Sequence, residues 1–323
     1  MKTVRSYSRL FFAVLITLTA CKKAPMGYLS DQIHYPYYPI MIQRGVIKET
    51  DPINNDGSSA PVVYELLDIR DATTHKHADP LYANHDRYVF TARFDPTVDT
   101  TVALLNAKRK LVNAPCFEFN KHTGAFDFFG TTVFAPLGTY EYDVKATNEA
   151  GSRIYKNLSS FTLFDGDPYS IENGGGAWFQ DGTTTSGDIG QPLVSIKRLS
   201  TDGERVILKI VDKNGTPFNP KNKEILKRGD RSDFETYARF HPVIITDTTM
   251  ICDFELTPFP FSPSSFGYLM YYRIPSNFAK LDAGLTPTPA RIYNVNPRFA
   301  FHIYQDGTYE VTVKIKNVTR DPI

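Results

Sequence analysis

The stretch Gly138–Asn148 alternates apolar and polar residues with a period of two, and it constrains the fold more than any other part of the chain. Its apolar members Tyr140, Tyr142, Val144 and Ala146 would share one face of an extended strand, whereas a helix would scatter them. Similar short patterns recur through the chain between turns rich in Gly, Asn and Asp, and no stretch has convincing helical periodicity. The sequence therefore predicts an all-β fold.

The same stretch resembles part of a known type of module. The spacing G-T-Y-x-x-x-V-x-A-x-N-x-x-G, from Gly138 to Gly151, is similar to the final two strands of immunoglobulin-like and polycystic-kidney-disease-like modules. Tyr142 or Val144 stands where antibody-type domains carry a cysteine of their inter-sheet disulfide, and the strand-C tryptophan of those domains is missing. The resemblance implies an immunoglobulin-like β-sandwich without that disulfide.

A second version of this pattern lies near the end of the chain. Gly307–Asn317 matches Gly138–Asn148 at seven of eleven positions. Two copies of one sandwich would explain the match, and so would convergence, because a Gly-Thr-Tyr start is common before a strand. Another strand pattern follows the first version but not the second, so we expect the two domains to differ in topology.

Composition predicts five segments along the chain. Residues 1–20 are a signal peptide, and residues 21–43, rich in Tyr and Pro, are a lipidated extended tether. Residues 44–165 are the immunoglobulin-like sandwich, and residues 166–192, rich in Gly and Asp, are a linker. Residues 193–323 are a second sandwich, either jelly-roll or immunoglobulin-like. The chain after the signal is long enough for two domains of ordinary size.

The N-terminus has the features of a bacterial export signal. Basic residues precede an apolar run from Leu10 to Leu18, which is too short to cross a bilayer because a spanning helix needs ~20 residues. The small residues before Cys21 are similar to a lipobox; in that family of signals the chain is cut before the cysteine, which then carries acyl chains. Because more than one acyl chain anchors a protein stably, Cys21 is the predicted lipid-attachment site. A signal cut elsewhere, with Cys21 incidental, is the alternative.

Charge argues against a nucleic-acid-binding protein, and cysteine content argues against a fold built on a disulfide framework. Without residues 1–20, which hold three of the 36 basic residues, the chain has 33 basic and 35 acidic residues. A nucleic-acid binder would show a basic excess, so no nucleic acid is expected as a partner. Cys116 and Cys252 are far apart, and two cysteines do not define a disulfide framework. Buried free thiols are the favoured state, and a disulfide between them is the alternative.

Several motifs together resemble uncharacterised Bacteroidetes-type outer-membrane lipoproteins. They are the lipobox at Cys21 and the segments Tyr28–Asp31, Leu67–Arg70, Leu208–Gly215 and Tyr271–Pro275. Such proteins are similar to accessory members of starch-utilisation-system-like uptake loci, beside an outer-membrane transporter and its lid lipoprotein. The resemblance implies an outer-membrane lipoprotein at the cell surface, with a transporter complex and a glycan as partners. The anchor also allows the periplasmic leaflet, and the family supplies no functional residue.

Aromatic side chains are the candidate ligand-binding residues, because the C–H face of a sugar ring stacks on aromatic rings. Trp178 and Phe179 follow Gly174–Gly176, and these glycines would let the chain bring the two rings to the surface. Burial of Trp178 between domains is the competing interpretation. Tyr271 and Tyr272 present the same alternatives, a binding surface or a sandwich core.

No metal, cofactor or catalytic residue is predicted. His75, His77 and His85 lie close together, but Pro80 and the polar composition favour a loop over a zinc site with fixed ligand geometry. The Asp residues between positions 165 and 188 lack the spacing of an EF-hand loop. The GxSxG, HExxH and P-loop motifs of common enzymes are missing. The two acids of a glycosidase, however, need not be close in sequence.

We therefore expect a lipid-anchored surface protein that binds an extracellular ligand such as a glycan, without catalysis, in support of an uptake complex. A structural or adhesive surface protein that makes protein–protein contacts is the main alternative, and a glycan hydrolase is the third hypothesis. The residues leave the first two nearly equal. Only the family resemblance favours the first.

Overall fold

The structure, a computed structural model, describes residues 27–322, and β-strands dominate this part of the chain. The prediction of an all-β sandwich fold is confirmed. Its helical elements are the short turns Asp79–Tyr82, Val102–Asn106, Phe234–Tyr237 and the 3₁₀ turn Gly130–Phe134. None of the helices within the described range has the length and apolar character needed to cross a membrane. Cys21 and the predicted signal peptide lie outside the described residues.

The first group of strands comprises those that surround one hydrophobic core and a separate hairpin, its fourth and fifth strands, which contributes no side chain to that core. These strands are β1 (Ile40–Gln43), β2 (Lys48–Glu49), β3 (Val63–Asp71), β4 (His85–Phe90), β5 (Arg109–Ala114), β6 (Phe117–Phe119), β7 (Phe126–Phe128), β8 (Gly138–Asn148) and β9 (Gly151–Phe164).

The second group of strands surrounds another core. These strands are β10 (Tyr169–Gln180), β11 (Ser186–Asp188), β12 (Leu193–Ser200), β13 (Glu204–Val211), β14 (Leu226–Lys227), β15 (Ile244–Ile245), β16 (Met250–Asp253), β17 (Met270–Arg273), β18 (Ala279–Leu281), β19 (Tyr293–Ile303), β20 (Gly307–Lys314) and β21 (Val318–Arg320).

The first core contains side chains from the sheet β1-β9-β8-β3 and from the small sheet β2-β7-β6. Its centre holds Tyr142 of β8 and Phe126 of β7, whose ring centroids are 5.0 Å apart in an edge-on arrangement. The alternating apolar residues of β8 are all buried as predicted, namely Tyr140, Tyr142, Val144 and Ala146. Burial of each large side chain of this kind contributes about 1.5–3 kcal/mol, so this alternation stabilises the sandwich directly.

The second core is formed by two five-stranded sheets, β11-β10-β19-β17-β14 and β12-β20-β13-β16-β15. Their buried side chains form one cluster, which includes Val295 and Phe299 of β19 and Leu208 and Val311 of the opposite sheet. We call the first of these sheets the β19 sheet, because the long strand β19 lies at its centre. One face of that strand packs in the second core, and the other face carries the candidate functional site.

The two versions of the repeated sequence pattern make the same local contact. Tyr140 Oη donates a hydrogen bond to Pro136 O at 2.8 Å, and Tyr309 Oη donates one to Gln305 O at 2.9 Å. Both contacts have the form of a tyrosine corner. However, β8 pairs antiparallel with β3 and β9, whereas β20 pairs in parallel with β13. The repeat therefore determines a local turn and a core contact but not the strand order.

The prediction of a linker over residues 166–192 is wrong. Strand β10 lies in this segment and pairs with β19 along its whole length, from Tyr169 to Gln180. Its glycines serve close packing: a Cβ atom on Gly174 would lie 2.2 Å from the carbonyl oxygen of Arg298. The glycine run therefore lets two backbones approach each other instead of making the chain flexible.

The predicted tether, residues 21–43, is integrated into the first core within the part that the structure describes. Tyr35 and Ile42 are buried in that core, and Tyr35 Oη donates a hydrogen bond to Gly124 O. Strand β1 extends the sheet by pairing in parallel with β9. The segment is thus extended, as expected, but it is not free of the fold. The remaining domain boundaries stay predictions.

The hairpin of β4 and β5 connects the two cores. Arg109 Nη2 lies 2.7 Å from Glu255 Oε2, and Arg239 Nη1 donates a hydrogen bond to Pro96 O at 2.6 Å. The centroid of the Phe94 ring is 5.2 Å from that of Phe261, edge-on. These polar and aromatic contacts hold the hairpin against the second core.

Candidate functional site

The candidate site is the side of the β19 sheet that faces away from the second core, and we call this side the outer face. Along β19, alternate side chains such as Val295 and Phe299 enter the core, and the residues between them point outward. The residues of β19 on the outer face are Asn294, Asn296, Arg298, Ala300 and His302. At a rise of about 3.3 Å per residue they span roughly 26 Å. Arg298 is exposed and Asn294 is partly exposed, whereas the other three are buried.

Cross-strand pairing adds side chains from neighbouring strands to this face. Asn296 pairs with Ala177 of β10, and Arg298 pairs with Gly175 of β10 and with Tyr271 of β17. Directly opposite residues on one face of a sheet have Cβ atoms about 4.5–5.5 Å apart. The outer face therefore places amide, guanidinium and aromatic groups next to one another.

Two of the predicted binding residues, Phe179 and Tyr271, lie on the outer face and are partly exposed. The guanidinium carbon of Arg228 is 5.7 Å from the centroid of the Phe179 ring. The ring of Tyr271 is edge-on to Phe266 at 6.0 Å, and Arg231 covers that second ring at 4.4 Å. Each predicted aromatic residue thus belongs to a group of rings and arginines.

The other two predicted residues, Trp178 and Tyr272, point into the second core and are only 5% and 2% exposed. Trp178 Nε1 donates a hydrogen bond to Leu285 O at 2.8 Å, and the indole is edge-on to the ring of Tyr293 at 5.0 Å. The interpretation of Trp178 as an exposed sugar platform is wrong. Successive side chains of a strand point to opposite faces, so Trp178 and Phe179 cannot both be exposed on one face.

Four arginines lie on or beside the outer face: Arg228, Arg231, Arg273 and Arg298. Two of them share Asp230, since Arg231 Nη1 is 2.9 Å from one carboxylate oxygen and Arg228 Nε is 3.4 Å from the other. The Arg228 contact is at ion-pair distance but lacks hydrogen-bond geometry. Among residues 27–322, neither Arg273 nor Arg298 has a carboxylate within ion-pair distance.

Glycine at position 175 makes room for the side chain of Arg298. A Cβ atom there would lie 2.6 Å from Arg298 Nη2 and 2.8 Å from its guanidinium carbon. The exposed guanidinium therefore lies across the neighbouring strand instead of extending into solvent. This contact holds the charge close to the sheet.

Asn296 is the most unusual polar residue of the face, because it is 6% exposed and its amide has no partner. Neither Nδ2 nor Oδ1 accepts or donates a hydrogen bond within the described part of the chain. The buried Nε of Arg273 is also without a hydrogen-bond partner there. A buried polar group left in this state costs about 1–3 kcal/mol, and because these atoms have almost no accessible surface, a ligand could reach them only after neighbouring side chains move.

At the far end of the outer face His302 lies among aromatic rings. Its ring is 4.3 Å from that of Tyr268, edge-on, and 6.0 Å from that of Tyr304, stacked. His302 Nδ1 is 3.2 Å from Glu172 Oε1. Burial lowers the pKa of His302, and the nearby Glu172 carboxylate opposes this effect. The neutral ring is therefore favoured, and the end of the face is aromatic in character.

Sequence reasoning missed Asn296, Arg298 and Arg273. A signal for the first two was present, because polar residues alternate with apolar ones from Tyr293 to Ile303. Nothing in the sequence near Arg273 indicates that it faces the same side as Arg298.

The histidine-rich loop of the first core contacts carboxylates. His75 Nδ1 is 2.9 Å from Glu141 Oε1, and His77 Nδ1 is 2.6 Å from Asp68 Oδ1. In the range from Gly27 to Pro322, no three or more His, Cys, Asp or Glu side chains are grouped so that they could hold a metal ion. The carboxylates here therefore orient the imidazole rings.

Both described cysteines are buried free thiols. Burial raises the pKa of the Cys116 thiol to about 11 and the pKa of the Cys252 thiol well above its usual value. Of the two alternatives that the sequence left open, the structure has the free thiols. A thiol with a raised pKa is a poor nucleophile because the thiolate is the reactive form.

Comparison with known proteins gives one distant structural likeness. No protein-family model and no curated protein matches the chain. Among solved structures, a SusE-like, surface-located polysaccharide-binding protein from the heparin utilisation locus of Bacteroides thetaiotaomicron aligns with 8% sequence identity and a TM-score of 0.25. The alignment covers 88% of this chain and 53% of that protein, so the chain spans about half its length. A TM-score this low does not establish a shared fold, and nothing about the function of this chain follows from it.

Proposed function

We propose that this protein binds a glycan on the outer face of the β19 sheet and does not catalyse a reaction on it. The observation that carries the proposal is the row of partly exposed aromatic rings and guanidinium groups along one sheet face. Aromatic rings stack on the C–H faces of sugars. Planar polar groups hydrogen-bond to sugar hydroxyls and fix the orientation of the ligand.

A sheet face suits an extended ligand. The side chains that would contact a glycan project from β10, β17 and β19, which are held by ladder hydrogen bonds and by the second core. A rigid, preformed surface loses little conformational entropy on binding. A glycan chain lying along β19 would therefore contact Phe179 near one end of the face and Tyr271 near its middle.

We further propose that acyl chains on Cys21 attach the protein to the outer membrane, with the described part of the chain at the cell surface. The lipobox-like sequence and the family resemblance support this proposal. In that position the outer face would hold an extracellular glycan for an outer-membrane transporter complex. The partner in this proposal is a glycan-uptake system, and the protein contributes binding alone.

Affinity gel electrophoresis with a panel of polysaccharides tests glycan binding. Phe179→Ala and Tyr271→Ala should each weaken retention by the polysaccharide that retains the wild type. Tyr88→Ala is the matched control, because Tyr88 is 54% exposed on the distant β4–β5 hairpin. Unchanged retention of both outer-face variants, or release of sugars from the polysaccharide, would contradict the proposal.

The anchoring proposal has a separate test. Cys21→Ser should leave the protein unprocessed or soluble and unacylated, as measured by fractionation and by metabolic labelling with a fatty acid. Protease treatment of intact cells should digest the wild-type protein if it faces outward. Membrane association that survives the substitution would refute the role of Cys21.

A contact surface for another protein is the second candidate function, and the β4–β5 hairpin favours it. Tyr88 and Leu111 are cross-strand partners and are 54% and 57% exposed, and Phe90 beside them is 42% exposed. Contiguous exposed apolar residues often mark protein-binding surfaces. Leu111→Ser should abolish co-purification with such a partner and leave glycan retention unchanged.

A further inference from the structure

We infer that the outer face selects acidic glycans and binds their carboxylate or sulfate groups between Arg273 and Arg298. This specificity rests on the proposed glycan binding by the same face and names the chemical class of glycan that it takes.

Positive charge is in excess at the middle of the outer face. Asp230 compensates part of the charge of Arg228 and Arg231, whereas Arg273 and Arg298 have no ion-pair partner in residues 27–322. A cation that is partly removed from water is stabilised by an anion in contact with it. The middle of the face therefore favours a ligand with negative charge.

The positions of the two arginines suit a single anionic group. Tyr271 is directly opposite Arg298 across β17 and β19, and Ile274 bridges to Val295 on the same pair of strands. Arg273 is thus a diagonal neighbour of Arg298 on the outer face, at a distance of about 7–8 Å between the two positions. In the structure the Arg298 guanidinium lies over Gly175 of β10, on the side of β19 away from Arg273, so both groups reach one carboxylate or sulfate only when the Arg298 side chain swings back across β19.

Guanidinium groups suit this role better than ammonium groups do. Their planar fork donates two parallel hydrogen bonds to a carboxylate, and charge-assisted bonds of this type are about twice as strong as neutral ones. Gly175 leaves room for the Arg298 fork over β10, because a Cβ atom at this position would meet it. A neutral glycan would use the aromatic rings but leave these charges without a partner.

Two matched pairs of polysaccharides test the inference in affinity gels and by calorimetry. One pair is dextran sulfate and dextran, and the other is polygalacturonate and its carboxyl-reduced form, so each pair differs in charge on one type of backbone. In at least one pair, we expect the wild type to bind the acidic polysaccharide about tenfold more tightly than the neutral one. One hydrogen bond to a charged group accounts for a difference of this size. Added salt should weaken this binding.

Variants then locate the charge-dependent contact. Arg298→Ala should lower affinity for the acidic polysaccharide to about the affinity for its neutral partner. Lys197→Gln, at an exposed position on β12 of the other sheet, is the matched control and should have no effect. Melting temperatures close to that of the wild type show that each variant is folded.

The outcomes separate the inference from the proposed function. Equal binding of the charged and neutral members of both pairs, with loss of binding in Phe179→Ala, would leave glycan binding standing and overturn the acidic specificity. Unchanged acidic binding in Arg298→Ala would also overturn it. Binding to vesicles of anionic phospholipid without any binding to polysaccharides would overturn both.

Discussion

The substitution Trp178→Ala tests the assignment of β10 side chains to the two faces of the sheet. Trp178 is 5% exposed, packs edge-on against Tyr293, and donates a hydrogen bond to Leu285 O. Truncation of a buried tryptophan costs about 3–5 kcal/mol, and the lost hydrogen bond accounts for about 0.5–1.5 kcal/mol of this. A typical domain has a free energy of unfolding of about 5–15 kcal/mol, so the substitution should remove a large part of it.

The neighbouring substitution Phe179→Ala is the matched control. We expect it to leave stability almost unchanged and to weaken glycan retention. Phe179 is partly exposed and its described partner is the guanidinium of Arg228. Removal of an exposed cation–π contact costs about 0.5–1 kcal/mol, so the free energy of unfolding should change little. Glycan retention should fall in this variant, whereas the Trp178 variant should retain glycan as long as it is folded.

Urea unfolding measured by far-UV circular dichroism gives the free energies for both variants. In the wild type, Trp178 is the sole tryptophan, so native fluorescence should be blue-shifted and should move to longer wavelength on unfolding. If Trp178→Ala left stability unchanged and abolished glycan retention, Trp178 would be a surface platform. The assignment of faces along β10 would then be reversed.

Three further predictions concern stability and reactivity. The guanidinium of Arg70 lowers the pKa of Asp143 in the folded state. The ionised Asp143 carboxylate therefore stabilises the fold. Its stabilisation is complete above the unfolded pKa of about 3.9 and is lost as the pH falls through the lower folded pKa. Asp143→Asn should therefore lower stability at neutral pH and flatten its decline in acid, as measured by urea unfolding across the pH range. Gly174→Ala should lower the free energy of unfolding by about 1–3 kcal/mol, because the added Cβ atom meets the backbone oxygen of Arg298. A melting temperature equal to that of the wild type would contradict the close approach of the two backbones. Cys252 is 1% exposed with a raised pKa, so peptide mass spectrometry should find it alkylated only after unfolding.

The core face of a regular strand could be predicted from the sequence alone. The alternation of Gly138–Asn148 predicted that Tyr142 and Val144 share one face, and the structure has both of them in the first core. Period-two alternation is a local property that reports directly on which side chains leave water. For the same reason the all-β class could be recognised without any tertiary information. The export signal and Cys21 are likewise local patterns, and they stay predictions.

The candidate site could be predicted only in part. The aromatic pairs were identified from their composition, but their faces were not, because the sequence around Trp178 and Phe179 has glycines and adjacent aromatic residues instead of alternation. A shift of one residue exchanges the two faces of a strand. Only the register of β10 against β19 decides that Phe179 is outward and Trp178 inward.

Tertiary structure also decided what the glycines and the charges do. Gly174 appeared to be part of a flexible linker, yet it allows the close approach of two backbones, and that contact joins residues far apart in the chain. Arg273 and Arg298 are on different strands, and pairing through β17 and β19 makes them neighbours. Local patterns determine which side chains leave water along one strand, whereas contacts between strands depend on how the whole core packs. The strand pattern was therefore readable from the sequence, but the charged face required the fold.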